Sequence, residues 1–149
     1  MNKTEFKKIV GNKLKESGFS FEQKAYYLRT DIMIICVEFQ KSNYCNTYFI
    51  NYGFLLVKLS PTIEYPKANT SDVFGRFTFY DKGLLKKEYE IDFIEKKEVI
   101  DSIQINIDNN IKPVVEKGLA TYLETTKPTN LFIKLEAKQY LGLEQELEI

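Results

Sequence analysis

The chain has 149 residues, 21 Lys and Arg balanced by 21 Asp and Glu, 44% hydrophobic and 14% aromatic residues, and no His. A chain of this length buries about 70% of its unfolded surface, so one domain spanning residues 1–149 needs neither disulfides nor metal to fold. Without His there is no Ser-His-Asp or Cys-His catalysis and no His-ligated metal, two Cys are too few for a structural zinc site, and zero net charge argues against a phosphate-backbone binder.

The opening residues Met1-Asn2-Lys3-Thr4-Glu5-Phe6 have no apolar signal core and carry an early acid, which makes the cytoplasm the default location. The longest apolar run, Ile32 to Val37, has the length of a strand and not of a membrane helix, so no membrane association is expected. The abundance of Lys, Asn and Ile suits an AT-rich bacterial genome. Phe6, Ile9, Val10 and Leu14 fall at helical spacing and predict a helix over residues 3–17. Asn2 is placed to cap it, Gly18 to end it, and Gly11 to allow close packing on a sheet.

Strands are expected next at residues 24–29, 32–42 and 47–59, with turns at Thr30-Asp31 and Asn43-Tyr44-Cys45-Asn46. Residues 60–72, with Pro61 and Pro66, read as a loop. A fourth strand is expected at 73–80, a turn at Asp81-Lys82-Gly83, and a fifth strand at 84–91. Ile100, Ile103, Ile107 and Ile111 then mark a helix. Pro113 predicts a break near residues 110–112 and a second helical segment to about Leu123. A last helix is expected from about Thr129 to Leu141, ended by Gly142, with a loosely held tail over 143–149. The order helix, strands, helices predicts an α+β fold: an antiparallel sheet of four to five strands with the helices packed against it.

The central hairpin is the most informative segment. A turn at residues 43–46 sets Phe39 opposite Ile50, Val37 opposite Tyr52 and Ile35 opposite Phe54, so this face belongs to the core. On the other face Ile34 meets Leu55 and Cys36 meets Gly53, whereas Glu38 meets Asn51 and Gln40 meets Phe49. That face changes from apolar to polar toward the hairpin tip. A helix is expected to cover the apolar end and leave the tip open. The same register separates Cys36 from Cys45 by about 20–30 Å of extended strand, too far for a disulfide.

Gly18-Phe19 after an amphipathic helix, Phe39-Gln40-Lys41-Ser42, and Phe49-Ile50-Asn51-Tyr52-Gly53 together resemble the bacterial domain-of-unknown-function family DUF4304 over roughly the first 60 residues. Phe74-Gly75-Arg76-Phe77 resembles a family strand that is usually richer in Arg. The resemblance implies a fold and no reaction.

The candidate binding residues are Glu38, Gln40, Asn51, Tyr44 and Arg76. Gln40 and Asn51 suit recognition of a polar group, or satisfaction of backbone at a strand end or crossing loop. Arg76 suits a two-pronged grip on a carboxylate or phosphate, or an internal ion pair with Glu38. Tyr44, at an exposed turn, suits a binding rim, whereas Tyr26, Tyr27, Tyr48 and Tyr52 read first as sheet residues. Cys36 and Cys45 have no base to activate them. Glu88, Glu90 and Asp92 alternate along one strand face, which suits an acidic metal or acid-base site or, more simply, a solvated edge. The lysines of the first helix read as a solvated face, not as a nucleic-acid platform.

These readings converge on a non-catalytic binding or interaction module with a protein partner, of the inhibitor or immunity type, with no cofactor, no metal and no nucleic acid. A homodimer through an open sheet edge and a small carboxylate/Arg/Tyr enzyme, metal-assisted, are the alternatives.

Overall fold

The computed structural model describes residues 1–143. Helix α1 (Lys3–Glu16) starts where Asn2 Oδ1 accepts the Glu5 backbone N–H at 2.8 Å. It ends before Gly18, whose φ of +97° only glycine adopts readily. Gly11 lies against the Tyr26 hydroxyl, leaving no room for a Cβ, so helix and sheet meet closely there.

A seven-stranded antiparallel sheet follows. Strands β1 (Ser20–Glu22), β2 (Ala25–Arg29), β3 (Met33–Lys41), β4 (Thr47–Leu56) and β5 (Val73–Arg76) lie side by side in chain order. The predicted β3–β4 register holds at every pair, from Met33 opposite Leu56 to Lys41 opposite Tyr48. Strand β1 adds an edge where no strand was expected, turning into β2 through Gln23 and Lys24, both at positive φ. Strand β4 ends at Leu56, short of the expected residue 59.

The expected strands at 73–80 and 84–91 are each divided. After Arg76 the chain leaves the sheet, just past the point where Phe77 N–H donates to Ile50 O at 2.8 Å. It forms a separate hairpin of β6 (Phe79–Asp81) and β7 (Leu84–Lys86), then returns as β8 (Tyr89–Glu90) beside Thr47 and Tyr48. Strands β5 and β8 thus share one edge of β4, and the hairpin projects between them.

Helix α2 (Lys96–Asn106) does not break near residue 110. It widens into a π-helical turn over Ile107–Ile111 and runs on as α3 (Lys112–Lys117), with Pro113 in its first turn. The wider turn accommodates the N–H that Pro113 lacks. Gly118, at φ +89°, separates α3 from α4 (Leu119–Thr126). The expected helix from Thr129 begins only at α5 (Leu135–Leu141), because strand β9 (Phe132–Ile133) pairs with Val73 and Phe74. Leu143 is partly buried against the core, so the predicted loose tail does not begin there; its remainder, 144–149, lies outside the described residues.

The helices supply one side of the main core. Phe6, Val10 and Leu14 of α1 and Val99, Ile103, Ile107 and Ile111 meet Ile35, Val37, Ile50, Tyr52 and Phe54 from the sheet. No helix among the described residues is long and apolar enough to cross a membrane.

Candidate functional site

The opposite face of the sheet is covered by chain without long helices. Residues 57–72 form a strap across the apolar end, with a single 3-10 turn at Ala68–Thr70. This corrects the expectation of a covering helix. Ala25, Tyr27, Ile34, Cys36, Leu55 and Ala68 make a small second core beneath the strap. Gly53 permits this contact, since a Cβ there would come within 2.6 Å of the Ala68 carbonyl oxygen.

Polar groups pin the strap along its length. Arg29 Nη1 donates to Glu64 O at 2.7 Å, and the Tyr27 hydroxyl donates to Pro66 O at 3.1 Å. Glu38 Oε1 accepts the Ala68 N–H at 2.9 Å, and Asp72 Oδ2 accepts the Leu56 N–H at 2.7 Å. Burial under the strap pushes the Cys36 thiol up to about 12, with the Glu38 carboxylate adding to the shift. Burial likewise raises the Tyr27 phenol well above its ordinary value. Cys36 is therefore a protonated core residue and not a nucleophile.

Toward the hairpin tip the strap ends and the polar residues begin. Glu38, Asn51 and Arg76 form one row across β3, β4 and β5, with Gln40 and Phe49 in the next row. Asn51 Nδ2 donates to Gln40 Oε1 at 2.9 Å. Arg76 Nε donates to Asn51 Oδ1 and Nη2 to Gln40 Oε1, both at 3.0 Å. The guanidinium centre lies 4.2 Å from the centroid of the Phe49 ring, a cation–π contact that holds it against the sheet.

The structure thus brings Gln40, Asn51 and Arg76 into one cluster, with Glu38 beside it in the row. Glu38 serves the strap and does not pair with Arg76, which overturns the expected internal ion pair. Gln40 and Asn51 satisfy each other and the arginine, while the crossing strap relies on Glu38 instead. Tyr44 stands apart at the hairpin tip, 96% exposed. Phe49 is not among the expected binding residues, although its register opposite Gln40 places it on this face. Phe74, next but one to Arg76 on the same face, stacks on Phe132 with ring centroids 5.0 Å apart.

The acidic stretch separates. Glu88 and Glu90 line a cleft of about 290 Å³ with Phe79, Phe93 and Glu98, where Lys86 and Asp81 form an ion pair at 2.8 Å. Asp92 instead accepts from Asn46 Nδ2 at 3.0 Å. Among the described residues no three His, Cys, Asp or Glu side chains are grouped to hold a metal ion.

A family described as a domain of unknown function, DUF4304, matches residues 10–117. The chain belongs to the DUF4304 family. The match extends well past the first 60 residues, through the strap, the β6–β7 hairpin and the long helix into α3. Glu38, Gln40, Asn51 and Arg76 all lie within the DUF4304 span, whereas α4, β9 and α5 follow it. No curated protein and no solved structure matches the chain.

Proposed function

We propose that this DUF4304 chain is a non-catalytic binding module that docks a partner protein on the open end of its outer sheet face. The observation that carries this reading is the Gln40–Asn51–Arg76 cluster. It is ordered by hydrogen bonds within the protein and left uncovered by the strap. Ordering these side chains in advance lowers the entropy cost of association. Tyr44 at the tip extends the surface on one side and the Phe74–Phe132 pair on the other. An inhibitor or immunity protein would use such a surface, and that step rests on analogy.

The test is affinity capture with the tagged full chain from its native host, comparing wild type with Gln40→Ala/Asn51→Ala. A protein retained by wild type and lost by a double variant with an unchanged melting transition supports the reading. An identical set of captured proteins removes the site. Sedimentation across a concentration series separates a foreign partner from a second copy of the chain.

A further inference from the structure

The chain contains two arginines, and their surroundings differ in kind. Arg29 approaches Glu22 at 3.8 Å, donates to Glu64 O, and lies over Tyr27 and Tyr65. Its charge has a carboxylate beside it and its donors serve the strap. Arg76 has no carboxylate within ion-pair distance among the described residues. Its two protein hydrogen bonds go to neutral amides. Amides orient a guanidinium without neutralising it. Of the five N–H donors of the group, three remain without an acceptor among the described residues, and the Phe49 ring fixes the plane in which they lie.

We infer that Arg76 is the receptor for a carboxylate of the partner polypeptide, presented beside an apolar side chain that rests on Phe74 and Phe132. The inference rests on the binding-module reading and names the chemistry its partner must carry. Charge complementarity argues for the carboxylate, because a planar guanidinium with free parallel donors matches it in a two-pronged contact. The aromatic pair argues for the apolar neighbour: Phe132 is 58% exposed and shares the face of Phe74 and Arg76. The Phe49 stack shields one side of the guanidinium from water, which strengthens the contact beyond that of a free surface arginine.

The experiment uses the full chain uniformly labelled with 15N, in which the Nε–Hε signals of the two arginines report on two sites in one sample. The ligands are the dipeptide N-acetyl-Phe-Glu-amide, its Gln counterpart, and inorganic phosphate. The Glu peptide is expected to move the Arg76 signal saturably and leave that of Arg29 in place. The Gln peptide should bind at least about ten-fold more weakly, the worth of one charge-assisted contact. Arg76→Lys keeps the charge but loses the planar donor pair, and in that variant the backbone amide shifts of Asn51 and Phe74 should fall several-fold. Equal responses to the Glu and Gln peptides, equal movement of Arg29, or an undiminished Arg76→Lys response would overturn the inference. Tighter binding of phosphate than of the Glu peptide would overturn it as well, in favour of a phosphate ligand. Because these readouts need no partner, they can fail while capture still depends on Gln40 and Asn51, and the broader reading would then stand alone.

Discussion

Asn106 shows how much one buried amide can hold. Its Nδ2 donates to Thr78 O and Ser102 O at 2.8 Å, and its Oδ1 accepts the Thr78 N–H at 3.2 Å. It therefore takes the place of a neighbouring strand where the chain leaves the sheet. Asn106→Leu keeps the size but strands both backbone groups of Thr78, and urea denaturation should show a loss of about 2–3 kcal/mol. Tyr48 is the opposite case. Its hydroxyl is buried with no hydrogen-bond partner among the described residues. Tyr48→Phe removes that uncompensated group, so the same measurement should show no loss and a gain of up to about 1 kcal/mol. Neither role is legible in the sequence. An Asn within a helical stripe reads as a surface residue, and the partner of Asn106 lies 28 positions away. Glu38 is similar: its row was predictable from the hairpin turn, but its partner at Ala68 depends on how the strap lies.

At the scale of elements, what was legible is what local pattern determines. Helix α1, its cap and the β3–β4 register follow from spacing and from one turn, because a slip of one residue would exchange the two faces of the hairpin. The strap was not legible, since a Pro-containing loop carries no periodicity to say which surface it covers. Residues 73–91 misled for a related reason. Their alternation continues across Phe77 and Thr78, but β4 has a finite edge that β5 and β8 divide between them. The strap can be tested through Gly53. A Cβ there meets the Ala68 carbonyl oxygen and the buried Ser71 side chain, which Lys67 O holds in place, so Gly53→Ala should cost about 1–3 kcal/mol. Limited proteolysis should then cut first within residues 57–72, and a variant that melts as wild type and resists cleavage would refute this account.

For the molecule as a whole, buried acids set the response to pH. Burial holds Cys36, Tyr27, Tyr52 and Tyr89 protonated above their ordinary ranges. The folded state therefore binds more protons than the unfolded state at high pH, and stability falls as pH rises. Cys36 ionises near 9.0 when unfolded and near 12 when folded, so the loss should begin near pH 9 and continue toward 12. On the acid side the sign reverses. Lys86 and Lys112 hold the Asp81 and Asp108 carboxyls below their usual range, a small stabilisation kept at neutral pH and lost as pH falls below 3.8. Between pH 6 and 8, where histidine would titrate in other proteins, the denaturation midpoint should stay level. The protonated, sealed state of Cys36 leaves Cys45, in the exposed turn, as the one thiol open to reagents. A maleimide fluorophore would therefore attach at a single point beside the tip of the central hairpin, and its emission would register an arriving partner in the natural sequence, with no cysteine engineered in or out.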